Sequence, residues 1–140
     1  MAEVTVREFM LEHPLTIKGN TPLVVAVELL INKKLAGLTV VNDANEVTGF
    51  ISDYDCHKAM LMSSYHCDNP VSVGDIQHTN FVAIDPDDGI ADIAIKLLKE
   101  TSSLYLVIED KQLIGTLTRH NILNALNKNL TLCSKISVNR

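Results

Sequence analysis

Two kinds of apolar pattern succeed one another along the chain. Short apolar runs bounded by turn formers, Leu15-Thr16-Ile17 and Phe81-Val82-Ala83-Ile84, predict strands. Longer stretches predict helices with one broad apolar face. The first carries Leu23, Val24, Ala26, Val27, Leu30 and Ile31; the second carries Ile90, Ile93, Ala94, Leu97 and Leu98. Each stretch has a start signal. Asn20-Thr21-Pro22 places a capping residue ahead of proline, expected at the first helical position, and Asp85-Pro86-Asp87-Asp88 sets carboxylates where a helix N-terminus favours negative charge. Next come paired strands, "GLTVVND" with "EVTGFIS" and "LYLVIED" with "QLIGTLT", joined by what reads as the same short turn around Ala44-Asn45. A further helix is expected to begin at Ser52 and again at Thr118.

The pattern is a duplication. "VTVREFMLEHPLTI" at 4–17 aligns with "VSVGDIQHTNFVAI" at 71–84 at an offset of 67, and "LTVVNDANEVTGFIS" at 38–52 with "LYLVIEDKQLIGTLT" at 104–118 at an offset of 66. The change of offset predicts a one-residue slip in the helix between. The repeating unit is strand, helix, strand, strand, helix. A unit of about 60 residues buries too little surface to stand well alone, and two copies packed sheet to sheet solve that. The expected fold is therefore α/β (α+β): two β-α-β-β-α repeats related by a pseudo-twofold axis. The expected division is 1–68 for the first repeat with its lead-in segment and linker helix, 69–128 for the second, and a frayed polar tail over 129–140. Asp68-Asn69-Pro70 breaks the linker between the repeats.

Charge narrows the partners. The net charge is −5 with only 12 Lys and Arg and no basic run, which argues against nucleic acid, whose phosphates supply most of such affinity. A small anion held by backbone N–H groups remains compatible. Cys56, Cys67 and Cys133 make an odd set without framework spacing, the N-terminus lacks the form of a signal peptide, and no apolar run reaches the ~20 residues of a membrane span. The expectation is a cytoplasmic protein with reduced thiols. No Gly-x-Ser-x-Gly, P-loop or His-Glu-x-x-His motif is present, so the chain reads as a non-enzyme.

"GFISDYD" at 49–55 and "GTLTRHN" at 115–121 carry the candidate chemistry. Ser52 and Asp55 stand three apart at a helix start, as do Thr118 and Asn121. The spacing is that of a capping box, in which the hydroxyl accepts from the later N–H and the later side chain reaches back, worth about 1 kcal/mol. Capping and ligand contact are compatible, since Ser52 can cap while Asp55 faces a groove. His120 beside Asn121 could meet an anion. Arg119 reads as a solvated residue of the first helical turn, and Tyr54 as locally packed.

The ordered set of lead-in segments "VREFM" and "VGDIQ", the helix start Pro22-Leu23-Val24-Val25-Ala26, and the strand ends Gly49-Phe50-Ile51-Ser52 and Gly115-Thr116-Leu117-Thr118 resembles a tandem pair of CBS domains (cystathionine β-synthase type, the Bateman module) over roughly residues 4 to 127. The resemblance implies a regulatory module that dimerises and takes an adenosine ligand (AMP, ADP, ATP or S-adenosylmethionine) in the clefts between its sheets. It places Asp55 on a ribose and Ser52 beside a phosphate, with Thr118, Asn121 and His120 in the second cleft and Thr16, Ile17 and Thr39 completing the contact set. Thr39 and Tyr105 stand where the family often has proline, and Tyr54 and His120 where it often has arginine. Asn121 lacks charge, so the second site is expected to be weaker or empty.

On this reading the chain is a stand-alone ligand-sensing module, a homodimer that signals to a protein partner by a shift of conformation. Two alternatives remain. One is an adaptor whose clefts are filled by its own side chains, for instance Tyr54 or Tyr105. The other is a metal or redox sensor built on Cys56-His57 and His66-Cys67.

Overall fold

The computed structural model describes residues 4–63, 71–101 and 104–138. The short apolar runs become two sheets. In the first, β2 (Thr16–Lys18) runs parallel to β3 (Gly37–Val41), which pairs antiparallel with β4 (Val47–Ser52). In the second, β5 (Ala83–Ile84) runs parallel to β6 (Leu104–Glu109), and β6 pairs antiparallel with β7 (Gln112–Thr118). The helix α2 (Leu23–Lys33) follows β2. The corresponding helix α5 (Ile90–Lys96) follows β5 and tightens into a 3₁₀ turn over Leu97–Lys99. Pro22 is extended and caps α2 from outside, so the helix starts one residue later than its proline suggests.

Each repeat buries one apolar stripe of its helices on its sheet. Leu23, Ala26 and Leu30 meet Leu38, Val40 and Ile51 in the first; Ile90, Ile93 and Leu97 meet Tyr105, Val107 and Leu117 in the second. The opposite sheet faces meet each other through Phe50, Leu106 and Leu113, with Phe81, Leu104 and Ile108 alongside. The expected sheet-to-sheet packing is thus present, with an apolar seam.

The lead-in segments are exchanged between the repeats. A short helix α1 (Val6–Phe9) puts fully buried Val6 into the core of the second repeat, while its counterpart α4 (Val73–Ile76) puts fully buried Val73 into the core of the first. The backbone follows suit. Ile90 N–H donates to the Val4 carbonyl and Leu23 N–H to the Val71 carbonyl, both at 2.8 Å. Strand β1 (Leu11–Glu12) then adds to β7, and His78 bridges to Phe50 of β4. A boundary between residues 68 and 69 therefore divides the sequence duplication, whereas in space each lead-in segment lies with the other repeat.

The one-residue slip sits in the hairpin turn and not in the helix. Val41 faces Val47 across the first turn and Ile108 faces Leu113 across the second, so residues 42–46 do the work of 109–112. The second turn holds Asp110 and Lys111 at φ 53° and 66°, the two-residue geometry that suits the twist of a hairpin. The first is longer, with Asn45 alone at φ 64° and the Asn42 carboxamide accepting from the N–H groups of Ala44 and Glu46. The two turns are therefore not the same. Because the offset is still 67 at β3 and β6, the counterpart of Thr39 is Leu106 and that of Leu38 is Tyr105.

The final helix of each repeat leaves the sheet directly: α3 (Asp53–Ser63) from β4 and α6 (Arg119–Val138) from β7. The backbone of α6 stays helical where a frayed tail was expected after residue 128, in keeping with a stretch free of glycine and proline. The linker break at 68–70, together with His66 and Cys67, lies outside the described residues.

Candidate functional site

At the β4–α3 corner the sequence folds into the reciprocal box its spacing predicts. The Asp55 N–H donates to Ser52 Oγ at 3.0 Å, and the Ser52 N–H donates to Asp55 Oδ2 at 2.9 Å. The Asp55 side chain is 24% exposed at the edge of the inter-sheet seam. A third group reaches the same oxygen. His78 Nε2, from the lead-in segment of the second repeat, lies 3.1 Å from Asp55 Oδ2. Among the described residues none donates to Asp55 Oδ1.

His78 is firmly placed. Its N–H donates to the Phe50 carbonyl at 3.0 Å and its carbonyl accepts from the Phe50 N–H at 2.9 Å. Residues paired in this way share a sheet face, and the His78 and Phe50 rings stand edge to face with centroids 5.7 Å apart. His78 Nδ1 is buried without a hydrogen-bond partner. In the neutral ring the proton therefore belongs on Nε2, aimed at the carboxylate. Phe50 in turn lies over Gly37, where any Cβ would collide with its ring. Gly37, Phe50 and His78 thus close the wall beside Asp55. Phe50 lies within the 49–55 motif, but Gly37 and His78 belong to none. The signal was available only to a reader who knew that 71–78 crosses to the first repeat.

The second corner differs at each equivalent position. Leu104 replaces Gly37, Thr116 replaces Phe50 and Leu11 replaces His78. Asn121 Oδ1 accepts from both the Thr118 N–H and the Thr118 hydroxyl, each at 2.8 Å. Its carbonyl is consumed by the cap, leaving an amide that can only donate. His120 is exposed. With Asn121, Leu123, Asn124, Leu126 and Asn127 it lines a cavity of about 610 Å³ along α6. A second cavity of about 270 Å³ lies where the two hairpin turns meet, lined by Asn42, Glu46, Val47, Phe81, Ile108 and Lys111.

Other expected contacts fall elsewhere. Ile17 packs in the core of the first repeat, because the period of two turns it away from the face that Thr16 and Lys18 share. Thr16 is exposed on the strand at the end of the sheet, in register with Thr39. Thr39 is buried opposite Phe50 on the seam side. Arg119 is exposed, as expected, but its guanidinium is engaged. Its guanidinium donates to the Tyr105 hydroxyl at 2.6 Å and to the Glu100 carbonyl at 2.9 Å, which ties α6 to the end of the preceding helix. Tyr105 is fully buried against the helices and Tyr54 is exposed, so neither fills a cleft. Cys56 is buried, and burial with the nearby Asp55 and Asp53 charges pushes its thiol up to about 11. Among the described residues no cluster of three or more His, Cys, Asp or Glu could hold a metal ion, and no helix is long and apolar enough to cross a membrane.

Known proteins share this architecture. The chain matches CBSX2, a CBS-pair protein of Arabidopsis thaliana solved in complex with AMP, with a TM-score of 0.75 and 30% identity over 89% of this chain and 97% of that one. AcuB of Vibrio cholerae shares the fold with a TM-score of 0.81 at 22% identity, over 96% and 98% of the two chains. Among curated relatives, the uncharacterized protein MJ1225 of Methanocaldococcus jannaschii is 25% identical over 86% of this chain and 42% of its own length. The 5′-AMP-activated protein kinase subunit gamma-3 of Bos taurus is 26% identical over 75% of this chain and 22% of its own. The chain therefore spans less than half the length of these two relatives. The family model described as CBS domain matches twice, at residues 6–62 and 73–128, one match for each half of the duplication, and the chain belongs to the CBS domain family.

Proposed function

We propose that the chain is a regulatory module that binds an adenosine ligand at the Asp55 corner and passes the event to a protein partner. The observation that carries this is the Asp55 carboxylate. It is a partly exposed anion between the two repeats, with Oδ2 held by its own cap and Oδ1 taking no hydrogen bond from a described residue. A ribose hydroxyl donating to a carboxylate contributes roughly 1.5–3 kcal/mol. The 30% identical relative solved with AMP, and the relative named as a subunit of an AMP-activated kinase, support the adenosine class. AMP leads ADP, ATP and S-adenosylmethionine as the first ligand to test. The Asn121 corner, without charge and with its carbonyl consumed, is the weaker site. Ligand at one corner favours one relative setting of the repeats, and so changes the surface offered to a partner. Exposed Met60, Leu61 and Met62 on α3 fit a contact with a second copy, making the working unit a cytoplasmic homodimer.

Calorimetry with the four ligands on the wild type and on Asp55→Asn tests this. The variant reproduces the residue of the second repeat, so it keeps the fold while removing the charge. At least roughly tenfold weaker AMP binding is expected, since a charged acceptor is lost and the amide left facing the ligand can only donate. Equal affinity of the two proteins, or no binding in the micromolar range, defeats the assignment.

A second reading has its own observation. Phe50 and His78 crowd the wall beside Asp55, as they would in an adaptor whose cleft is filled from within. That reading predicts no ligand at all in the same titration.

A further inference from the structure

We propose that His78 stands in for the ligand at the Asp55 carboxylate and must be displaced before a ribose can be gripped by both oxygens. The inference rests on the ligand reading above and concerns its regulation. A vicinal diol offers two donors, and a carboxylate meets them best with both oxygens. Here Oδ2 already accepts from the Ser52 N–H at 2.9 Å and faces His78 Nε2 at 3.1 Å. The Ser52 contact is local to the helix start and stays in place. The His78 contact comes from the other repeat and is the one that competes.

Three features make His78 a gate and not a passive neighbour. Its backbone is pinned to Phe50 by reciprocal hydrogen bonds, so the segment cannot drift away and only rotation of the side chain frees the oxygen. Its Nδ1 is buried without a partner, so the neutral ring directs its only N–H at Asp55. Its side chain is 37% exposed, which leaves solvent on one side into which the ring can turn. The second repeat has Leu11 at the same place and lacks such a donor. The gate therefore belongs to the acidic corner alone. It also links binding to the lead-in segment, since the chain that carries His78 accepts the Leu23 N–H through the Val71 carbonyl at the start of α2.

The test is calorimetry of AMP and of adenosine against the wild type, His78→Leu and His78→Gln. Leucine is what the second repeat carries there, so the fold should accept it, and glutamine retains a donor. The expected result is that His78→Leu binds both ligands roughly fivefold to tenfold tighter, the range of one competing hydrogen bond removed, while His78→Gln stays nearer the wild type. A gain shared by AMP and adenosine places the competition at the ribose. If the wild type binds AMP and His78→Leu binds it equally or more weakly, the gate is wrong and the adenosine reading stands. A loss seen with AMP but not with adenosine also overturns it, because His78 would then be a phosphate contact. If neither ligand binds any of the three proteins, both the gate and the adenosine reading fail.

Discussion

Cys56 shows how one buried side chain registers its surroundings. It lies in the core of the first repeat, one residue from Asp55, where burial first and the carboxylates second disfavour the thiolate. An acid whose folded pKa is raised from 9.0 to about 11 keeps its proton in the folded state after the unfolded chain has lost it. Its contribution is complete below pH 9 and declines as the pH rises toward 11, by about 2 kcal/mol in all, since each unit is worth about 1.4 kcal/mol and part of the shift is screened. Urea unfolding of the wild type and of Cys56→Ala across that window checks this. The wild type should lose stability more steeply with pH than the variant. In a protein with Cys67 and Cys133 replaced by serine, a thiol reagent should label Cys56 no faster than the protein opens. Parallel pH profiles for the two proteins would refute the burial argument.

Glycine 37 belongs to the same scale but acts on the groove. Its hydrogen leaves room for the Phe50 ring, and a methyl group there would meet the ring head-on. Gly37→Ala should cost about 1–3 kcal/mol, the usual range for forcing an extra carbon into a packed site, and should turn Phe50 out of the wall beside His78. Chemical denaturation gives the first quantity, and the shifts of the His78 ring protons by NMR give the second. An unchanged ring environment together with unchanged stability would mean that the wall is softer than its packing implies.

At the scale of elements, the helix starts and strand pairs were legible because each has a local cause. The Ser52–Asp55 and Thr118–Asn121 boxes need only a short side chain and a partner three residues on. The central strands read as nearly continuous apolar runs because one face meets helices and the other meets the second sheet. The hairpin turns were not legible in the same way. An offset that changes from 67 to 66 can be placed anywhere between two aligned blocks, and only the registers Val41 with Val47 and Ile108 with Leu113 put it in the turn. The consequence is chemical. Asp110 and Lys111 both hold positive φ, a region that costs an ordinary L-residue roughly 1 kcal/mol and costs glycine little. Lys111→Gly should therefore raise stability by up to about 1 kcal/mol in guanidinium unfolding, whereas Lys111→Val should lower it. The same pair of changes at Ala44, which lacks positive φ, should show no such contrast.

At the scale of the whole molecule, what the sequence could not disclose was the exchange of lead-in segments. Val6 and Val73 look like apolar residues of their own repeats, and nothing in the spacing of "VTVREF" or "VSVGDI" says which core each will enter. The answer depends on packing between residues 78 to 84 apart in one direction and 50 apart in the other, Val6 with Ile84 or Ile90 and Val73 with Leu23. For the same reason His78 was invisible as a neighbour of Asp55. The exchange means that neither half is a self-sufficient domain, and a disturbance in one lead-in segment should be felt in the other half. Val6→Ala removes two buried carbons from a fully enclosed site and should cost about 2 kcal/mol. Under native conditions its amide hydrogen exchange should quicken over 90–97 and 105–117, well away from residue 6 in sequence, while 23–30 and 38–51 stay protected. Val73→Ala should show the mirror image, quickening the first repeat. If each variant instead loosened the repeat that contains it, the lead-in segments would be packing at home. The link from a ligand at Asp55 through His78 to the start of α2 would then be lost.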